Sequence, residues 1–140
     1  MSNKWTCQKC KREFNRKGQQ HTCATKSLNE HFVNKYEAYK LYQQLLKKIG
    51  SQIGKIRVLS IPCCIHLIGT YDFIAILPKK DGVLEIRFAL GRKLTNKRIF
   101  ATVPLSSKSY KNCLRIQSPR DINSELLGWV KESYTLKDEK

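Results

Sequence analysis

Two short ligand pairs near the N-terminus constrain this chain most. Cys7 and Cys10 form a Cys-x-x-Cys pair, and His21 and Cys23 form a His-x-Cys pair after ten intervening residues. Three thiols and one imidazole are a usual ligand set of a closed tetrahedral zinc site. Two residues between cysteines allow one tight turn to direct both sulfurs at the same ion, and the longer arm returns the second pair. The spacing therefore predicts zinc bound by Cys7, Cys10, His21 and Cys23.

Two alternatives to zinc are a cluster of reduced thiols and a disulfide framework. The segment is too small to hold a core of its own, which favours a metal. Met1–Lys4 lacks the apolar region of a secretory signal, so we expect a cytoplasmic chain, in which metal binding is commoner than disulfides. With all four positions filled, the zinc is expected to be structural. The short second pair favours a knuckle over a finger with a recognition helix.

Length and hydrophobic content set the domain organisation. At 140 residues, of which 41% are hydrophobic, the chain suits one ordinary domain and a small appendage. We predict a zinc knuckle over residues 1–26 and an α+β domain over 27–136. No apolar run approaches the roughly 20 residues that span a bilayer, so we expect a soluble protein with no membrane partner.

A helical pattern follows the knuckle. Ser27 and Glu30 fit a capping box, and apolar residues then recur at steps of three and four as far as Ile49. Asn34-Lys35 is a candidate break between a short and a long helix, and Gly50 is the expected stop. The same pattern places three tyrosines in the core: Tyr36, Tyr39 and Tyr42.

From Gly54 the hydrophobic period changes to two, which is typical of strands. Ser118 and Pro119 then begin a second helix that is expected to end near Tyr134. We predict an α+β fold: the knuckle, a helix, a mostly antiparallel sheet of about five to six strands, and a C-terminal helix, with both helices on one face. The predicted strands are 55–61, 63–68, 71–77, 84–90, 98–105 and 110–117, with a hairpin turn at 69–70.

The charge of the chain is strongly positive and unevenly distributed. Of the net +16, residues 1–26 carry +6 and residues 51–120 carry +10, whereas residues 121–140 carry −2. A basic domain of this kind indicates a phosphate-rich partner, so we expect a nucleic-acid-binding accessory protein, with DNA and RNA equally open. The alternative is a module for a protein partner or small ligand, whose zinc is purely structural and whose charge only aids solubility.

The candidate phosphate contacts are basic residues on ordered elements. Some lie between the zinc ligands, where the metal would hold them in place; others alternate outward from strands or occupy a loop after Leu90. The expected nucleic-acid-binding residues are Lys9, Lys11, Arg12, Arg16, Lys17, Arg87, Arg92, Lys93, Arg98, Lys111 and Arg115.

A second group of thiols lies in the middle of the chain. Cys63-Cys64-Ile65-His66 is compatible with a nucleophile or a second metal site, and Cys113 could join it if the strands are neighbours. Strand alternation puts Cys64 and His66 on one face and Cys63 on the other, which favours buried, unreactive cysteines. We therefore predict no catalytic residue. The acids Asp72, Asp81 and Glu85 are expected near turns, with Glu85 and Arg87 as a surface ion pair.

The order of these features resembles an uncharacterised bacterial family of small proteins. Its members have a Trp-x-Cys-x-x-Cys…His-x-Cys knuckle followed by a domain of unknown function, and the resemblance covers nearly the whole chain. It implies a zinc-bearing α+β protein and no particular reaction. The resemblance depends on residues 5–10, Phe14, 21–23, 28–32, Gly91-Arg92, 114–116, Ser118-Pro119, Trp129 and Tyr134.

Overall fold

The computed structural model describes residues 5–9, 13–14, 17–18 and 26–136. The elements are β1 Trp5–Thr6, β2 Glu13–Phe14, α1 Leu28–His31, α2 Tyr36–Gln52, β3 Arg57–Ile61, β4 Cys64–Ile68, β5 Asp72–Pro78, β6 Leu84–Leu90, β7 Ile99–Ser106, β8 Ser109–Ile116, a 3-10 turn Pro119–Asp121 and α3 Ser124–Thr135. A two-stranded ladder pairs Trp5 with Phe14, and a six-stranded antiparallel sheet has the order β3-β4-β5-β6-β8-β7. This arrangement confirms the predicted α+β fold.

One face of the large sheet forms the core. Directly paired residues share a face, and Ile65, Ile76, Ile86 and Leu114 form such a row across four neighbouring strands. All four are fully buried in one cluster with the apolar sides of α2 and α3. Both helices therefore pack on the same side of the sheet, as the sequence predicts.

The opposite face carries the other set of alternating side chains. We call it the open face and define it by Arg57, His66, Arg87, Lys111 and Arg115, which have the other parity in β3, β4, β6 and β8. The buried apolar side chains of the described helices all join the core cluster on the other side of the sheet. On the open face Arg57 and Arg115 are exposed, and Arg87 and Lys111 are half-buried.

The first helical segment is divided as expected but ends later than predicted. Asn34 has φ 57°, a left-handed conformation, and separates α1 from α2. Gly50 does not end α2, because Ile53 continues the apolar side of the helix and its N–H reaches Ile49 O at 2.9 Å. Tyr36 is 69% exposed, so its prediction as a core residue was wrong.

The predicted second helix is interrupted. Ser118, Pro119 and Asp121 form a capping box on a single 3-10 turn, and Asn123 caps α3 through a bond from Leu126 N. The chain leaves helical geometry at Ile122, whose side chain is buried in the core. Burial of Ile122 therefore accounts for the break within a segment whose sequence reads as one helix.

Asn112 is a fully buried amide on the helix side of β8. Its Oδ1 accepts hydrogen bonds from Leu94 N at 3.0 Å and Thr102 Oγ1 at 3.2 Å, and its Nδ2 donates to Arg92 O at 3.1 Å. A buried polar group needs such partners, because an unsatisfied one is costly. The side chain thus fixes the basic loop between β6 and β7 to the sheet.

We expect Asn112→Ala to lower the free energy of unfolding by about 3 kcal/mol, because it leaves the Leu94 amide and the Arg92 carbonyl without their buried partner. Urea unfolding followed by tryptophan fluorescence measures the change. Asn29→Ala, at an exposed position of α1, is the control and should stay within about 0.5 kcal/mol of the wild type. Equal stability of the two variants would contradict the role of the buried amide.

Candidate functional site

Three donor side chains converge at one end of the β3–β4 hairpin. Cys64 Sγ lies 3.1 Å from His66 Nε2 and 2.9 Å from Cys63 Sγ. Cys63 is exposed, Cys64 is 7% exposed, and the His66 side chain is 20% exposed. We call Cys63, Cys64 and His66 the donor cluster.

The turn before β4 brings Cys63 to the same side as Cys64. Ile61 pairs with Cys64, so Pro62 and Cys63 form a two-residue turn, and the prediction of Cys63 as an opposite-facing strand residue was wrong. Proline suits a turn because its φ is already fixed and it has no N–H to donate. His31 of α1 contacts Ile61 O through Nε2 at 2.9 Å, and this bond ties the hairpin end to α1.

Asp72 adds a carboxylate behind the histidine. A register shift between Leu67 and Ile68 pairs Ile68 with Asp72, the first residue of β5. Asp72 Oδ2 then lies 2.6 Å from His66 Nδ1, which is an ion-pair distance, although the two groups lack the alignment of a hydrogen bond. Because one ring nitrogen faces the carboxylate, the other is directed at the two sulfurs.

These contacts shift the protonation of the cluster. The contact with Asp72, followed by the bond to Cys64, raises the pKa of His66 to about 11. Burial acts to raise the pKa of Cys64, but the bonds from His66 and Cys63 outweigh it and lower that pKa. Burial, followed by the bond to Cys64, raises the pKa of Cys63. The directions favour a protonated imidazole beside a Cys64 with thiolate character.

The raised pKa of His66 also links stability to pH. Below the unfolded-state pKa near 6.5 the contribution of His66 to the free energy of unfolding is fully present. Between that pH and about 11 only the folded state keeps the proton, so the contribution is lost as pH rises.

The donor cluster could hold a metal ion, since its two sulfurs and one ring nitrogen all lie within 4.8 Å of one another. The same side chains with Asp72 also have the order of a nucleophile, a base and an orienting acid. Burial of Cys64 counts against the second use, because a nucleophile must reach its substrate.

Cys113 does not join the donor cluster. Cys113 pairs with Arg87, Arg87 with Ala75, and Ala75 with His66. Cys113 and His66 are therefore three strand spacings apart, a total of roughly 14 Å. Cys113 is buried, and this burial raises the pKa of its thiol. We assign it no role in the site.

Three of the predicted cations meet on the open face. Arg87 on β6 and Lys111 and Arg115 on β8 surround Cys113. Glu85 lies among them at 3% exposure, accepting from Arg87 Nε at 2.7 Å and from Arg115 Nε at 3.4 Å. The predicted ion pair between Glu85 and Arg87 is therefore confirmed, but its surface position was wrong, because β8 adds a second arginine beside the buried Glu85.

The other predicted cations do not belong to this group on the open face. Arg92 bonds Glu132 and Arg98 bonds Glu125, both acids of α3 and both at 2.9 Å. Lys93 Nζ lies 5.5 Å from the centre of the Tyr110 ring. Lys9 and Lys17 are exposed, while Lys11, Arg12 and Arg16 lie outside the described residues.

Of the four predicted zinc ligands, the structure describes only Cys7. It is buried and follows β1, which pairs with β2. Cys10, His21 and Cys23 lie outside the described residues, so the zinc knuckle stays a prediction.

Reasoning from the sequence assigned no role to three residues of the open face, Arg57, Asp72 and Phe100. Asp72 follows the 69–70 turn, so the predicted hairpin already placed it near His66. The register shift between Leu67 and Ile68 determines that the two side chains are in contact. Phe100 is 48% exposed, with the Arg115 guanidinium 4.3 Å from its ring centre. That contact requires β7 and β8 to pair, which strand periodicity alone does not show.

Fold and site together define an α+β protein that has a six-stranded antiparallel sheet, helices on one face, and a donor cluster and cations on the other. The chain belongs to the family described as Domain of unknown function (DUF5655), whose sequence model matches residues 29–137. This match confirms the part of the resemblance that concerns a domain of unknown function. Comparisons with curated proteins and with solved structures found no significant match. No helix among the described residues is long and apolar enough to cross a membrane.

We expect Asp72→Asn to lower the pKa of His66, because the neutral amide removes the carboxylate that favours the imidazolium. NMR titration of the imidazole nitrogens in metal-free protein measures the change. His31 is an internal reference, since burial, the largest influence, lowers its pKa and Asp72 is not among the groups that act on it. Asp81→Asn, in an exposed turn, is the matched variant. Equal His66 titration in both variants would contradict the assignment.

Proposed function

We propose that this protein binds nucleic acid, with the phosphates held on the open face. The observation that carries the proposal is the set of cations on that face, opposite the face on which α2 and α3 pack. Arg57, Arg87, Lys111 and Arg115 belong to it. Phosphate contacts of this kind give affinity and position without reading sequence.

The acids of the open face leave its positive charge in place. Glu85 is buried and shared by Arg87 and Arg115, and Asp72 contacts His66. The bond to Glu85 raises the pKa of Arg87, so the guanidinium stays charged. Because one carboxylate orients two guanidiniums, the pair keeps a net positive charge in a defined position, which suits an anionic backbone.

An aromatic side chain accompanies the cations. Phe100 is exposed on the same face, stacked against the Arg115 guanidinium. Bases of single-stranded nucleic acid stack on such rings, with about 1–3 kcal/mol for each base. Val103, on the same edge strand, is also exposed and extends the apolar strip beside the cations.

The other predicted cations have a smaller place in this proposal. The α3 acids already bind Arg92 and Arg98, so these residues act through the overall field rather than as direct contacts. Lys93, packed over Tyr110, is assigned the same part. Lys9 and Lys17 remain candidate contacts, as do Lys11, Arg12 and Arg16.

Zinc is the proposed cofactor of the N-terminal segment, with Cys7, Cys10, His21 and Cys23 as its ligands. The ion is proposed to hold the knuckle cations in position for phosphate. Metal binding also supplies folding energy to segments of this size.

We expect Arg57→Gln combined with Lys111→Gln to weaken binding to a labelled single-stranded oligonucleotide. The slope of log affinity against log salt should become shallower by about 0.7 for each cation removed, because fewer counterions are released. Fluorescence anisotropy between about 50 and 200 mM salt measures the slope. RNA and duplex DNA are tested alongside to identify the preferred form.

The matched control removes two lysines from α2, on the other layer of the protein: Lys40→Gln combined with Lys47→Gln. Both positions are exposed, so the change in net charge is the same. An equal loss of slope in both double variants would contradict the open face as the binding surface. Affinity that tolerates salt would instead favour a protein partner or small ligand.

We expect Cys10→Ser to remove one equivalent of zinc and to make residues 1–26 sensitive to protease, because three ligands hold a structural ion less well than four. Metal analysis and limited proteolysis measure the two effects. The urea midpoint of the α+β domain should not change, since its core lies within residues 32–130. Unchanged zinc content would contradict the knuckle.

A further inference from the structure

We propose a second metal site, in which Cys63, Cys64 and His66 bind a thiophilic divalent ion such as Zn²⁺ and Asp72 orients the histidine. The site is separate from the predicted knuckle and shares no ligand with it. Two thiolates and one imidazole are a ligand combination that suits zinc among the divalent metals.

The donor atoms are already close to the arrangement that such an ion needs. The sulfurs lie 2.9 Å apart, and Cys64 Sγ lies 3.1 Å from His66 Nε2. Around a tetrahedral zinc, neighbouring sulfur and nitrogen donors lie about 3.6–3.8 Å apart. Each separation must therefore increase by less than about 1 Å. Cys63 can supply most of that movement, because it is exposed in a turn.

Asp72 completes the second shell of the proposed site. Histidine ligands of metals commonly present their other ring nitrogen to a carboxylate, which fixes the ring and raises its basicity. Asp72 Oδ2 stands 2.6 Å from His66 Nδ1, and this leaves Nε2 directed at the sulfurs. The contact therefore has a use beyond the stability of the hairpin.

A metal uses the cluster more fully than a nucleophile would. A thiolate nucleophile needs Cys64, His66 and Asp72 but gives no role to Cys63, whose sulfur lies against that of Cys64. Cys64 is also nearly buried. Three protein ligands leave one tetrahedral position, which water or an anion can occupy at the surface of the open face.

Metal binding to the full chain under reducing conditions tests this site. The Cys10→Ser background disables the proposed knuckle, so Co²⁺ added to it should still give sulfur-to-metal charge-transfer bands for one equivalent. Adding Cys64→Ser or His66→Ala should abolish those bands. Cys113→Ala is the control and should retain them, because Cys113 lies three strands from the cluster.

The ligand variants could lose metal binding because they fail to fold, so a fourth variant tests the site without removing a ligand. Asp72→Asn keeps all three ligands and should weaken metal affinity about 10- to 100-fold, as removal of a second-shell partner does. Chelator competition measures the affinity, and far-UV circular dichroism checks the fold. Asp81→Asn, on an exposed turn, should bind as tightly as the parent.

The outcomes separate the two metal proposals. If the Cys10→Ser protein binds no Co²⁺ through thiolates, the second site is overturned, whatever the wild-type zinc content. If wild-type protein holds one equivalent that Cys64→Ser removes and Cys10→Ser retains, the knuckle fails and the second site stands. Rapid alkylation of Cys64 by iodoacetamide, unchanged by Zn²⁺, would identify a reactive thiol in place of a metal ligand.

Discussion

Isoleucines and leucines of four neighbouring strands meet the apolar sides of α2 and α3, and this contact buries only one face of the sheet. Each buried aliphatic side chain contributes about 1.5–3 kcal/mol, so the layer offsets the cost of ordering the chain. The other face does not have to be apolar. Cations, thiols and acids can therefore occupy alternate positions of the same strands, and each proposed function depends on that division.

The polar groups of the open face are arranged so that their charges are paired. Glu85 is nearly buried and would be costly alone, but Arg87 and Arg115 bind it from two strands. His66 likewise lies between Asp72 and Cys64. Such pairing positions the side chains, because a group with partners on two sides has few alternative rotamers. Both proposals depend on this pairing, since one needs the arginines held in place for an anion and the other needs the sulfurs held in place for a cation.

Much of the fold could be predicted because hydrophobic period is a local property. The strand at 84–90 matches β6 at both ends, and the other strands match within a residue or two. The errors occur where packing decides between local alternatives. Gly50 lies inside α2 because Ile53 continues the apolar side, and the helix expected from Ser118 is broken because Ile122 turns into the core.

The candidate site was only partly predictable, for a related reason. Alternation placed Cys64 and His66 on one face, and the structure agrees. Cys63 was assigned to the opposite face because the pattern treated it as a strand residue, whereas Pro62 makes it part of a turn. The importance of Asp72 depends on a shift in register, which leaves no trace in the composition of either strand.

By itself, the sequence determined which residues within a strand share a face, the division of the first helical segment at Asn34, and the ligand spacing that predicts the knuckle. Only the tertiary structure decided that β6 lies beside β8, so that Arg87, Lys111 and Arg115 form one group. It also decided that the acids of α3 bind Arg92 and Arg98 instead. The physical reason is separation along the chain. Periodicity and turn chemistry act over a few residues, whereas these contacts join segments that lie tens of residues apart. Such segments meet only when the core has formed.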